Sequence, residues 1–199
     1  MSLRERKRAR TRQALIDAAA DLFERNGYDE TTVAEIAAAA EIGTRTFFSY
    51  FASKEELLFP DADSRVQAMI EAIANRAPDD RPIDLLVRVL SDGGEVSEDI
   101  VGKLTPLRMR LVQTVPAIRG RALQIQFDTE RRIADLLVEA FPDQVDDLSA
   151  RALTGAFAGA VRGASQAMLD RTGDLTAEQR NEATRQAIAT TLAPLLKRD

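Results

Sequence analysis

The residues best equipped for chemistry lie in one short run, Thr44-Arg45-Thr46-Phe47-Phe48-Ser49-Tyr50-Phe51, and they are equipped to bind rather than to react. An arginine can meet guanine through two parallel hydrogen bonds, and a threonine offers a hydroxyl to a base edge or a methyl group to thymine. Tyr50 and Lys54, with the first-turn amides near Thr32, suit phosphate oxygens, contacts that fix register without reading sequence. The candidate contact set is therefore Thr32, Thr44, Arg45, Thr46, Phe48, Ser49, Tyr50 and Lys54. Reaction chemistry has little to work with. Histidine and cysteine are both absent, which excludes imidazole acid–base work, histidine triads, thiolate metal sites and disulfides. No Glu-x-x-His pair, glycine-rich phosphate loop or nucleophile–base pair occurs, so neither an enzyme site nor a metal or cofactor is expected.

Such a run needs elements that present it. Apolar residues recur with helical period along nearly the whole chain, and no stretch alternates as a strand does. The expected class is all-α, with about nine helices. The first is placed at residues 11–26, with Leu15, Ala19, Leu22 and Phe23 on one face and Gly27 as its stop. Thr32 with Glu35 reads as a capping box opening a second helix, whose buried stripe is Val33, Ile36, Ala37 and Ala40. Glu41-Ile42-Gly43 is a tight turn, and residues 44–51 form a third helix too short to stand alone. Phe47 and Phe51 are one turn apart and dock it on the first two helices, so Arg45, Thr46, Ser49 and Tyr50 project outward. Two short helices across a tight turn make a helix-turn-helix unit, the second of which enters the major groove. Ser53 with Glu56 reads as another capping box, opening a helix to about residue 76 that Pro60 kinks or breaks.

Charge is distributed to match. The whole chain carries −5, yet residues 1–13 hold six basic side chains against Glu5, a net of +5, which leaves −10 on the remainder. A basic end on an acidic body suits local phosphate contact, and a solvated tail is the plain alternative. The arginine-rich start has no apolar segment of the secretory kind, and no apolar run is long enough to cross a bilayer. With cysteine absent as well, a cytoplasmic protein with no membrane partner is expected.

The segment 12–58 resembles the N-terminal domain of TetR-family regulators. The Gly27-Tyr28 break, Thr31-Thr32-Val33, Ile36-Ala37, the Tyr50-Phe51 pair and Ser53-Lys54-Glu55-Glu56-Leu57 stand in the family's order and spacing. Arg-Thr-Phe-Phe-x-Tyr-Phe at 45–51 resembles one subgroup of recognition helices. Two positions depart from the usual pattern. Glu41-Ile42-Gly43 replaces the common Gly-Val-Ser turn, and Phe48 stands where a phosphate-bonding tyrosine is frequent. The resemblance implies a DNA-binding domain over residues 1–52 and a helical ligand-binding and dimerisation domain over 53–199. It further implies a homodimer that binds a palindromic operator on double-stranded DNA and is released by a small-molecule effector.

Gly155, Gly159 and Gly163 recur every fourth residue beside an alanine strip, and a helix pays for interior glycine unless a close crossing uses it. A two-fold interface through these glycines with Ile188, Thr191 and Leu195 is expected, close packing inside one subunit being the alternative. Candidate pocket walls are Met69, Ile73, Leu86, Leu90, Met109, Val112, Gln113, Phe127 and Phe157, nearly all apolar, which points to a hydrophobic effector. A ligand-independent DNA-binding protein of the same fold shares this apolar pattern, and a helical-bundle enzyme is the remaining rival.

Overall fold

The computed structural model describes residues 2–60, 62–92 and 98–170, with scattered helical residues between 179 and 191. Eight α-helices and one short 3-10 helix are delineated among the described residues, and none of those residues lies in a strand. The helices are α1 (Leu3–Asn26), α2 (Val33–Ala39), α3 (Thr44–Phe47), α4 (Ser64–Ala74), α5 (Pro82–Asp92), α6 (Glu98–Thr114), α7 (Pro116–Ala140) and α8 (Asp147–Asp170), with the 3-10 helix at Glu55–Leu58. No helix among the described residues is long and apolar enough to cross a membrane.

Two compact units divide the chain. The first comprises residues 1–62 with 99–124. Its core gathers Leu15, Ile16, Ala19 and Phe23 of α1, Ile36 and Ala37 of α2, and Phe47 and Phe51, together with Leu57, Leu58, Leu104, Leu107, Leu111 and Ile118. The second comprises 63–98 with 125–199. Its core is built from Val66 and Met69 of α4, Leu85 and Leu86 of α5, Ala134 and Leu137 of α7, and Ala150 of α8, with Ile188.

Local chemistry explains the N-terminal elements. Gly27 ends α1 at φ 88°, a conformation that glycine adopts without a Cβ penalty, and its N–H donates to the Phe23 carbonyl at 3.1 Å. Thr31, fully buried, donates its hydroxyl to the Gly27 carbonyl at 2.7 Å and so satisfies an acceptor the helix end leaves open. The Thr32–Glu35 capping box forms as expected, an arrangement worth about 0.5–2 kcal/mol for the cap residue.

Three expectations are corrected. The first helix begins at Leu3 and not near residue 11, because Ser2 and Glu5 form a capping box of their own that carries the basic residues into helix. The Ser53–Glu56 box does not form. Lys54 occupies the cap position without a side-chain bond, and the Glu56 carboxylate accepts instead from the Ala52 N–H at 2.8 Å. The third helix is shorter than 44–51, ending at Phe47, and tight turns continue it: the Tyr50 N–H donates to the Phe47 carbonyl at 2.9 Å and that of Phe51 to the same oxygen at 3.1 Å. The break expected at Pro60 is present, between the 3-10 helix and α4. Pro106, by contrast, lies inside α6 without ending it. Most of the expected final helix, 176–197, falls outside the described residues.

Candidate nucleic-acid interface

The reading run is anchored by two aromatic side chains. Phe47 is 0% and Phe51 3% exposed, and their rings lie 6.0 Å apart in the core beneath α1 and α2. That leaves Thr44, Arg45, Thr46, Phe48 and Ser49 exposed on the other side, with Tyr50 half-buried at the edge. The turn before the run is set by Glu41 at φ 56°, the left-handed conformation that a glycine would adopt with less strain. Gly43 follows as N-cap in extended backbone and provides no side-chain bond.

Each expected contact residue has a definite local partner or none within the protomer that restrains it. Ser49 donates its hydroxyl to the Thr46 carbonyl at 2.7 Å. Phe48 is 55% exposed and meets the Phe47 ring edge-on at 5.3 Å. The Thr32 hydroxyl is taken up by its capping box, donating to the Glu35 carboxylate at 2.8 Å and accepting from the Glu35 N–H at 3.2 Å. A bond from the Thr32 backbone N–H, then one from its hydroxyl, hold the Glu35 carboxyl below its usual range.

Lys54 points inward more than expected. Its Nζ donates to the carbonyls of Tyr28 at 2.8 Å and Thr31 at 3.1 Å and lies 4.1 Å from the centre of the Tyr28 ring. This ammonium therefore fixes the loop that delivers α2. Beside it the Tyr28 hydroxyl donates to Glu55 Oε1 at 2.6 Å. Burial, reinforced by that bonded carboxylate, pushes the Tyr28 hydroxyl well up from its ordinary value. Burial also opposes charge on Glu55, yet hydrogen bonds from Ser53 and Tyr28 outweigh it and hold the carboxyl below its usual range. Sequence spacing carries no sign of this Tyr28–Lys54–Glu55 cluster, because Tyr28 lies 26 residues from Lys54 and 27 from Glu55.

Arginines crowd the same side. Arg4, Arg6, Lys7, Arg8 and Arg10 are all exposed on the first turns of α1. Arg8 lies over the Tyr50 ring and Arg12 over the Phe51 ring, at 5.3 Å and 5.0 Å from their centres. Exposed hydroxyls, Arg45 and this cationic helix start together form a surface suited to phosphates and base edges.

The expected interface and pocket residues lie elsewhere. On α8, Gly155 and Gly159 are half-buried and Gly163 is exposed, and a Cβ built on any of them meets nothing within 4 Å. Thr191 is exposed and donates to the Ala187 carbonyl at 2.8 Å. Ile188, 2% exposed, belongs to the core of its own protomer, and Leu195 lies outside the described residues. Of the pocket candidates, Met69 and Leu86 are buried in the second unit's core, with Ile73, Leu90 and Phe157 packed against it. Phe127 is 67% exposed. Met109 and Val112 are half-buried and Gln113 exposed on α6, in the first unit. A cavity of about 340 Å³ opens at the ends of α4 and α7, between Ala74, Arg76, Ala140 and Phe141, and none of the pocket candidates lines it.

Residues 15–59 match the family described as bacterial regulatory proteins, tetR family. The HTH-type transcriptional regulator TcmR of Streptomyces glaucescens is 35% identical over 153 residues, covering 73% of this chain and 66% of TcmR. The chain thus spans just under two thirds of that relative's length. The crystal structure of Thermus thermophilus FadR, a TetR-family transcriptional repressor in complex with lauroyl-CoA, superposes with a TM-score of 0.54 at 22% identity, covering 94% of this chain and 96% of FadR. A TetR-family transcriptional regulator from Bordetella parapertussis gives 0.52 at 18% identity, covering 94% and 97%. These two likenesses establish the fold along nearly the whole length, while the residues that build the helix-turn-helix fall within the matched 15–59. Residues 15–59 thus match the tetR family of bacterial regulatory proteins, and the chain shares its fold along nearly its whole length with solved TetR-family regulators of transcription.

Proposed function

We propose that the protein is a homodimeric repressor that occupies a palindromic operator in the cytoplasm and leaves it when a small hydrophobic effector binds residues 53–199. The observation that carries the reading is the face formed by Thr44, Arg45, Thr46, Phe48 and Ser49, exposed as a group while Phe47 and Phe51 are buried behind it. The resemblance of the Arg-Thr-Phe-Phe-x-Tyr-Phe run to one recognition subgroup supports a reading in which Arg45 reads a base and Tyr50 meets a phosphate. Thr32 contributes through the amides of the turn it caps, and Lys54 through the loop it holds.

Two-fold pairing is supported by the glycines of α8. Three interior glycines destabilise a helix by about 0.5–1 kcal/mol each relative to alanine, and among the described residues no neighbour requires them. A second copy crossing at Gly155, Gly159 and Gly163 does. Thr191 and Leu195 flank that crossing, while Ile188 supports it from within the protomer.

For the effector, the apolar cluster of Met69, Ile73, Leu86, Leu90 and Phe157 forms the wall we assign to it. Thr154 supplies a polar handle: it is 3% exposed and its hydroxyl has no hydrogen-bond partner among the described residues. The complex of Thermus thermophilus FadR with lauroyl-CoA supports the choice of a hydrophobic effector. DNA binding without any effector is the second reading, favoured by the full burial of Met69, Leu85 and Leu137 in that core. A ligand that binds only the folded state raises the thermal midpoint, so a midpoint unmoved across a panel of acyl compounds selects the second reading.

Footprinting of the upstream DNA across a salt series tests the main reading. A protected palindrome at moderate salt is expected; protection no stronger than on random DNA, there and in a genomic selection, overturns it.

A further inference from the structure

The basic start of α1 is tied to the reading run. Arg4, Arg8 and Arg12 recur every fourth residue and so line one stripe of the helix. The last two lie on consecutive aromatic residues at the end of the run. The Arg12 guanidinium covers the Phe51 ring and donates to the Pro60 carbonyl at 2.9 Å. That rung is accounted for by folding, since Phe51 is a core residue. The Arg8 rung is different. Its guanidinium lies 5.3 Å from the centre of the Tyr50 ring, and Nη2 donates to the Ser49 carbonyl at 3.3 Å. Arg8 and Ser49 are exposed and Tyr50 is only half-buried, so this contact supports no core. What it fixes is the ring of Tyr50 and the backbone at Ser49, at the border between the reading run and the cationic turns of α1.

We infer that Arg8 is a positioning residue for DNA reading, holding Tyr50 where its hydroxyl meets the sugar–phosphate backbone in the register that brings Arg45 and Thr46 onto base edges. The inference rests on the DNA-reading function proposed above. The planar guanidinium is what the position requires: it lies flat on a ring and bonds a carbonyl at once, whereas an ammonium carries the same charge without the plane. Reading run and basic helix start then meet the duplex as one rigid surface, and the charge on the start of α1 contributes to register as well as to attraction.

Lysine at position 8 separates the two roles. The probes are a duplex carrying the footprinted palindrome and a shuffled duplex of the same length. Arg8→Lys is expected to weaken palindrome binding about fivefold, the scale of one exposed cation–π contact, while affinity for the shuffled duplex and the salt slope stay as in the wild type. Within a Tyr50→Leu background the same substitution is expected to cost nothing further. Lysine serving as well as arginine on the palindrome overturns the inference, because charge alone is then sufficient. Equal losses on both duplexes, or the full loss persisting without Tyr50, overturn it too. Thermal midpoints are taken alongside, and a fall that accounts for the lost binding reassigns Arg8 to folding. A wild-type protein that shows no preference for any palindrome strikes at DNA reading itself, whereas a wild-type preference that Arg8→Lys leaves intact strikes at this inference alone.

Discussion

Replacing Gly155, Gly159 and Gly163 together by alanine distinguishes two uses of α8 by the sign of the result. Alanine in a helix interior is favoured over glycine by about 0.5–1 kcal/mol per site, so three replacements stabilise an isolated α8 by roughly 1.5–3 kcal/mol. Among the described residues nothing opposes this, since apart from the helix's own backbone none of their atoms lies within 4 Å of the three built Cβ positions. If the glycines instead face a second copy at close range, three methyl groups from each protomer must be fitted into one interface. Overpacking of that kind costs about 1–3 kcal/mol, which weakens dimerisation about 30-fold on its central value. The expected outcome is thus a pair of opposite changes: a steeper requirement for protein concentration in sedimentation equilibrium, and greater resistance of the dissociated protomer to urea. A triple variant that gains stability and dimerises as tightly as before would show that no copy crosses at these glycines, and the proposed interface would fail.

Three further outcomes are expected. Arg45→Ala loses about 1–3 kcal/mol of operator affinity and relaxes one base position in a selection experiment, while an equal loss on every sequence makes Arg45 a phosphate contact. Glu55, whose carboxyl is held below its ordinary value, contributes stability that is fully present above that value and is lost as pH falls through the lowered one. Urea unfolding at a series of pH values below 4.5 is therefore expected to fall less steeply for Glu55→Gln than for the wild type, and parallel curves would remove Glu55 from the acid response. Thr154→Val removes a buried hydroxyl that has no partner among the described residues, so the unliganded protein is expected to gain stability on the order of 1 kcal/mol. The same variant is expected to lose part of the thermal shift produced by an effector; a stability loss instead would mean that the hydroxyl has a partner.

Features set by neighbours in sequence were the legible ones. Gly27, the Thr32–Glu35 box and the four-residue spacing of Phe47 and Phe51 each declare a helix end, a helix start or a buried face within one turn, and each is found where the pattern places it. The errors share a different cause. Ser53 and Glu56 carry capping-box spacing, but Pro60 prevents the helix from propagating and Arg121 claims the Glu56 carboxylate from 65 positions away. Lys54 looks like a free cation for phosphate until Tyr28 and Thr31 bring their carbonyls to it. The run of arginines after Ser2 concealed a capping box, because the charge reading and the cap reading compete for the same Glu5. For Glu56 and Lys54 the deciding partners are distant in sequence, where local spacing carries no signal.

Those distant partners converge on residues 52–59, directly after the Phe51 anchor. Glu56 accepts from the Ala52 N–H at 2.8 Å through Oε2 and from Arg121 at 3.0 Å through Oε1, so one carboxylate joins the end of the reading run to the first turns of α7. Arg108 of α6 donates to the Leu58 carbonyl at 3.3 Å and lies over the Phe59 ring at 5.9 Å. Leu57 and Leu58 are fully buried with Leu104, Leu107 and Ile118. Moving α6 or the start of α7 while residues 52–59 stay in place would strip two charge-assisted contacts and expose two leucines. Full exposure of a leucine alone costs about 1.5–3 kcal/mol. Moving the whole segment together breaks none of these bonds. The less costly motion is therefore the one that carries Ala52, and with it Phe51 and the reading face, along with α6. Packing of this kind ties any displacement of α6 to the reading run.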